Sequence, residues 1–164
     1  MPTRHFNVER FSLTSSKPFD RIVASIEKRV ARPDMRAFFK DLATAGSAVE
    51  LELVILKASW GSDFMEFARY DMGEILRKEN GPVAPRTLRL VLGDPLIMKQ
   101  MVVHTPDAAS YAPATVLIDE RADGTHLSYD RMASLLAPYN NDKAIAVAQQ
   151  LDLKIEALLS RVAS

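Results

Sequence analysis

Thr87-Leu-Arg-Leu-Val-Leu-Gly-Asp-Pro-Leu96, followed by Ala114-Thr-Val-Leu-Ile-Asp-Glu120 and Thr125-His-Leu-Ser-Tyr-Asp130, is the stretch whose reading decides the fold. Leu88, Leu90 and Leu92 alternate with Thr87, Arg89 and Val91, the period-2 pattern of a strand with one side on a core. Gly93-Asp94-Pro95 stops that strand, because Pro cannot donate to a ladder and its fixed φ suits the first turn of a helix. Leu96–His104 reads as that helix. Ala122-Asp123-Gly124 between two β-rich runs is a short-hairpin signal, so Ala114–Glu120 and Thr125–Asp130 are expected to pair.

Working outward toward the N-terminus, His5–Thr14 reads as a first strand. Phe6 and Val8 share one parity and Phe11 and Leu13 the other, so a bulge near Glu9-Arg10 would turn all four inward. A helix opens at Ser15/Ser16 with Pro18 near its start, and Phe19, Ile22, Val23, Ile26 and Val30 form one apolar stripe. A second helix starts around Pro33-Asp34, carries Met35, Phe38, Phe39 and Leu42 on one face, and ends at Gly46. Residues 47–59 admit two readings. Val49, Leu51, Leu53 and Ile55 alternate like a strand, whereas Ser47-x-x-Glu50 is a capping-box pattern and Leu51, Val54, Ile55 and Ala58 fit a helical face. Helix is favoured. Trp60–Asp63 is a turn, Phe64–Tyr70 a strand, and Glu74–Glu79 a short polar helix. Toward the C-terminus, Arg131–Ala137 is a short helix stopped by Pro138. Asn140 or Asn141 caps a last helix whose stripe is Ile145, Ala148, Leu151, Ile155, Leu158, Leu159 and Val162. This order argues an α+β fold with a largely antiparallel sheet packed against helices and a long C-terminal helix, as a single domain over residues 1–164.

With 164 residues and 48% hydrophobic side chains, the chain can bury a sizeable core. Lys+Arg and Asp+Glu stand at 21 each. That balance, without a basic tract, argues against a nucleic-acid partner and mildly favours self-association. Cysteine is absent, which removes disulfides, a cysteine nucleophile and thiolate metal sites. The N-terminus shows no apolar leader and no run approaches a membrane-spanning length, so the expectation is a cytoplasmic protein with no membrane association.

The runs Phe67-Ala-Arg-Tyr-Asp71-Met-Gly73, Arg89-Leu-Val-Leu-Gly93-Asp-Pro95-Leu, Tyr111-Ala-Pro113-Ala-Thr-Val-Leu-Ile-Asp-Glu120 and Leu127-Ser-Tyr129-Asp130 resemble, in order and spacing, the bacterial and archaeal "domain of unknown function 302" family. The likeness covers roughly Met65–Tyr139, and the Pro18 helix loosely. It implies a TATA-binding-protein-like α+β fold with a curved antiparallel sheet, and a homodimer. It supplies no activity. Many members carry His after the acid equivalent to Asp71. Here that residue is Met72, so any ligand or proton-carrier role of that His is lost or altered.

Several residue sets point to chemistry, each beside a plainer reading. Tyr70, Asp71 and Met72 end a predicted strand, and with Tyr129 and Asp130 from another strand end they would line a cleft as a ligand site or a general base. The plainer reading has Asp71 capping the next helix. Met98, Met101 and His104 recur on one helix, and with Met72 would make a soft site for copper(I) or haem. Otherwise the two methionines fill the core and His104 sits against the helix dipole. Ser128-Tyr129-Asp130 lacks a nucleophile elbow. The expectation is that Tyr129 buries its ring and hydrogen-bonds at its tip, while Asp130 caps the helix from Arg131. Gly93-Asp94-Pro95 opens a helix that could receive an anion, but Asp94 suits a cap better. Trp60 reads as a core or interface residue. His5 and His126 share no parity that would bring them together.

The reading that follows is a non-enzymatic, dimeric binding module for a small, largely apolar ligand or a protein partner, held in a cleft between sheet and C-terminal helix, with no cofactor expected. The alternatives are a metal- or haem-handling protein using the Met/His set, and a small hydrolase or lyase using Asp71 as base with Tyr129 orienting the substrate.

Overall fold

The computed structural model describes residues 3–164. Five strands form one antiparallel sheet in the order β1-β5-β4-β3-β2, with β1 at Arg10–Ser15, β2 at Met65–Asp71, β3 at Thr87–Gly93, β4 at Ala114–Arg121 and β5 at Gly124–Asp130. The helices are α1 (Phe19–Glu27), α2 (Met35–Thr44), α3 (Ala48–Ser59), α4 (Gly73–Asn80), α5 (Pro95–Val102), α6 (Met132–Leu136) and α7 (Asp142–Ala163). The architecture is α+β with an open sheet and a long C-terminal helix, as the alternating and helical periods of the sequence predict.

The organising unit behaves as its pattern demands. Leu88, Leu90 and Leu92 are buried, together with Val116, Ile118, Leu127 and Tyr129 from the neighbouring strands. They are one another's partners in register (Leu88 with Ile118, Leu90 with Val116, Ile118 with Leu127 and Val116 with Tyr129), so they share one face, and the residues between them point to the other. The β4–β5 turn is two residues long, with Arg121 paired to Gly124. Gly124 takes φ +139°, and a Cβ there would stand 2.5 Å from the Ser15 carbonyl oxygen on β1, so a side chain is excluded by both conformation and space.

Helices α1, α5 and α7 cover the buried face of the sheet. Helix α7 inserts Ala144, Ala148, Leu151, Ile155, Leu159 and Val162. Its N-terminus is capped by Asn141, whose side chain accepts from the Ala144 N–H. At its far end the Ser15 hydroxyl donates to the Ala163 carbonyl at 2.6 Å and Lys17 Nζ to that of Val162 at 3.3 Å, so chain near the start of the fold satisfies the last turn of its end.

Residues 47–59 are helical: the Ser47 hydroxyl accepts from the Glu50 N–H at 3.2 Å. The return half of the box reaches one residue further back, with Glu50 Oε2 accepting from the Gly46 N–H at 2.7 Å. Helices α2 and α3 make a hairpin with its own small core of Phe38, Ile55, Met65 and Ala31. Ala31 also forms a single parallel bridge to Met65 and covers the start of the β2 edge.

Three local expectations are corrected. The first strand begins at Arg10 rather than His5, and its pairing with β5 runs unbroken from Arg10–Asp130 to Ser15–Thr125, without a bulge. Phe6 lies in the preceding segment, edge-on to Tyr111 and packed on Tyr139, while Val8 is exposed. The central helix ends at Val102, so His104 lies in the turn after it, where its carbonyl accepts from Asn141 Nδ2. Asp130 does not cap α6; it forms a two-bond ion pair with Arg10 across the β1–β5 ladder.

Candidate functional site

The apolar walls that these elements leave between sheet and helices line a cavity of about 190 Å³ that is open to solvent on the side of the exposed Phe39. Helix α2 supplies Phe38, Phe39 and Leu42, β2 supplies Phe67, α5 supplies Ile97, Met98 and Met101, and α7 supplies Leu151. The end of β3 and the chain entering β4 close the floor with Leu92, Gly93, Ala112, Pro113 and Ala114. Each wall follows from local sequence. The helical spacing of α2 puts Phe38 and Phe39 side by side with centroids 5.5 Å apart, and both face Phe67 at 6.2 and 6.5 Å. The floor is close-packed: a Cβ on Gly93 would meet Pro113 Cβ at 2.9 Å and Phe67 Cε2 at 3.5 Å, so only glycine lets these segments approach.

The polar side chain at the rim is committed. Asp94 Oδ1 accepts from the Leu96 N–H at 2.7 Å as the cap of α5, which is the capping role its place before Pro95 suggests. Nothing in the lining asks for a hydrogen bond, so the site can hold apolar matter and cannot orient a polar group strongly.

The residues singled out in the sequence are distributed over three places. Asp71 lies where β2 pairs with Leu88, at the opposite end of the sheet from Gly93, roughly 17 Å along the strands. Both of its oxygens are engaged: Oδ1 accepts from the Glu74 N–H at 3.0 Å and Oδ2 from Arg77 at 2.6 Å. The Arg77 hydrogen bond holds the Asp71 carboxyl below the usual carboxylate range. Tyr70 and Met72 beside it are exposed, and Tyr70 lies under the Arg89 guanidinium on the open face of the sheet.

Tyr129 stands three strands away on β5, buried on the helix side. Its hydroxyl donates to Asp152 Oδ1 at 2.7 Å. The same carboxylate accepts from the Met132 N–H at 2.7 Å and the Ala133 N–H at 3.1 Å, and so caps α6 from α7. Burial pushes the Tyr129 hydroxyl up, and the Asp152 charge adds to it. Tyr129 thus behaves as its strand position suggested, but the cap comes from Asp152, which lies between Leu151 and Ile155 on the apolar face of α7. An acid at a stripe position is the signal that could have found it, because a buried carboxylate needs donors.

Met98 and Met101 share the wall of the cavity, Met101 fully buried. His104 is exposed beyond the end of α5, and Met72 lies at the far end of the sheet, so the four are not brought to one point. His126 faces Thr14 across the β1–β5 ladder and reaches Asp123 with Nε2 at 2.7 Å. His5 lies outside the sheet. Trp60 is 69% exposed at the end of α3. Among the described residues no three His, Asp or Glu side chains converge as a metal site, and no helix is long and apolar enough to cross a membrane.

Comparison with known proteins places this architecture. Residues 54–162 match the model of the family described as domain of unknown function DUF302. The chain belongs to that family. Among solved structures it is similar to an uncharacterized conserved DUF302 protein from Bacillus stearothermophilus, at a TM-score of 0.66 and 11% identity, over 93% of this chain and 97% of that one. At that identity the likeness speaks for the fold. No curated protein matches the chain.

Proposed function

We propose that this DUF302 chain is a binding module for a small apolar molecule, seated in the cavity between the sheet, α2 and α5. The observation that carries the reading is the lining: about 190 Å³ bounded by phenylalanine, leucine, isoleucine and methionine side chains, with the one acidic rim residue spent on a helix cap. An empty apolar cavity forfeits dispersion contacts on every wall, so a ligand that restores them gains free energy without a hydrogen bond. Cavities of about 150 Å³ with such walls take benzene, so the fitting ligand has roughly six to ten non-hydrogen atoms, a single ring or a short alkyl chain. Met98 and Met101 suit this role, since a flexible thioether adapts to different shapes and contacts aromatic faces well. The engagement of both Asp71 oxygens supports binding rather than base catalysis.

The test is thermal denaturation with benzene, indole and 1-hexanol. A ligand at ten times its Kd should stabilise the fold by about 1.4 kcal/mol and raise Tm by about 3–5 °C. Met98→Trp, which fills the space from its half-buried wall, should abolish the shift while keeping the fold. If none of the three probes moves Tm, the reading fails.

A further inference from the structure

Helix α3 is apolar on the side that faces away from the protein as well as on the side that faces in. Leu51, Val54, Ile55 and Ala58 pack against the hairpin core. Val49, Leu53, Leu56 and Trp60 recur at i, i+4, i+7 and i+11 on the opposite side, exposed at 68%, 59%, 58% and 69%. A helix with two apolar faces parted by charged flanks has one face more than a surface helix needs, and a contiguous exposed apolar stripe marks a contact surface. Trp60 adds an independent sign. It closes the helix in the left-handed conformation, φ 51°, a position that glycine or asparagine usually fills. A bulky indole kept there and left exposed fits a residue retained for a partner.

We propose that this stripe is the contact between two copies of the chain, their α3 helices packed antiparallel about a two-fold axis. The stripe is self-complementary in that arrangement. Val49, the smallest member, meets the partner's Trp60, the largest, and Leu53 meets the partner's Leu56. The spacing of four and three is the seam of a left-handed helix pair. The flanking charges agree. Glu50 and Lys57 lie on one side of the stripe and Glu52 on the other. Like flanks face each other in an antiparallel pair, so Glu50 lies across from the partner's Lys57 twice, and Glu52 across from the partner's Ser59. Glu50 has an oxygen to spare, since only Oε2 is used by the Gly46 N–H. The four exposed side chains offer roughly 500 Å² per copy, and with the stems of the flanking charges a pair buries on the order of 1,200 Å², the lower end of specific interfaces. The inference does not depend on the ligand cavity, which opens elsewhere.

Sedimentation of the full chain from about 1 to about 300 µM tests it, a range that brackets the affinity expected of so small an interface. Trp60, the one tryptophan of the chain, reports the same event by its emission. The expected result is a concentration-dependent dimer whose formation shifts that emission to the blue. Leu53→Glu, an exposed position whose folding is checked by circular dichroism, should weaken the dimer at least tenfold. Lys57→Glu should weaken it several-fold, and Glu50→Lys added to Lys57→Glu should restore it. A monomer at the highest concentration with the emission of a solvated indole overturns the proposal and leaves the stripe for a different protein. A dimer indifferent to Leu53→Glu places the interface elsewhere, and restoration by Glu52→Lys in place of Glu50→Lys overturns the antiparallel arrangement.

Discussion

The sheet with α1, α5 and α7 and the α2–α3 hairpin solve the problem of apolar surface differently. In the sheet body the apolar stripes close on one another: the leucines of β3 and the stripe of α7 belong to one core, and even the acid in the α7 stripe has three donors gathered around it. In the hairpin, α3 carries two apolar faces and the fold covers one of them. The body covers its own stripes, and the hairpin leaves one apolar face uncovered. The candidate cavity lies on the seam between the two, with Phe38 and Phe67 from one cluster and Leu92, Met101 and Leu151 from the other. A seam between two separately packed clusters can open locally without global unfolding, which would give the proposed ligand an entry route.

The largest effect expected from this contrast lies in the body. Asp152→Ala removes, from the middle of α7, the buried acceptor of the Tyr129 hydroxyl and of the Met132 and Ala133 N–H groups, leaving the Met132 N–H only its longer contact to the Tyr129 hydroxyl at 3.2 Å. The loss should be about 4 kcal/mol, because stranded buried donors lose their hydrogen bonds to water with nothing in return. Asp152→Asn, which keeps one carbonyl acceptor, should lose about half as much. Urea unfolding followed by far-UV circular dichroism reads both, and a loss under 1 kcal/mol for the alanine variant would show that the carboxylate is not the tie between α6 and α7.

Phe38→Ala probes the hairpin side. Removing a ring that is 3% exposed should cost about 3 kcal/mol, but of a different kind. Native-state hydrogen exchange should accelerate in α2 and α3 and leave β4 and β5 protected. Uniform acceleration across the sheet would mean that hairpin and body form one cooperative unit, and the contrast between them would fall.

The same contrast explains what was legible in the sequence. Strand β3, α1 and α7 declare themselves because a one-sided environment writes a clean period: alternate leucines, or a stripe at i, i+3 and i+4. Residues 47–59 read ambiguously for the opposite reason. Val49 and Leu53, which completed the strand-like alternation, are the residues left outside, so the ambiguity is the trace of an apolar face that the chain itself does not cover. The cavity was not legible because its lining comes from α2, β2, α5, the chain before β4 and α7, and no local spacing encodes that convergence. Met98 and Met101 stood out for their sulfur, while the structure places them in an apolar wall. Asp71 and Tyr129 looked like neighbours because each ends a strand, but strand order puts three ladder steps between them.

The smallest effect tests how far the body's independence extends to its outermost strand. Strand β1 is held by a full ladder to β5 and by the Arg10–Asp130 ion pair at its start. If burial and ladder bonds do the holding, the ion pair adds little, because both side chains are substantially exposed and water screens them. The Arg10 hydrogen bond depresses the Asp130 carboxyl below its ordinary value. A depressed folded-state value makes the contribution complete above the ordinary carboxylate range and removes it as the pH falls from that range through the folded value. Asp130→Asn should therefore cost about 0.5 kcal/mol or less at neutral pH, with the two proteins converging as the pH falls below the depressed folded value, and high salt at neutral pH should close the same gap. A difference that stays constant from acid to neutral pH would assign the residue a role in the strand itself rather than in the charge pair, and the edge of the body would then depend on more than its ladder.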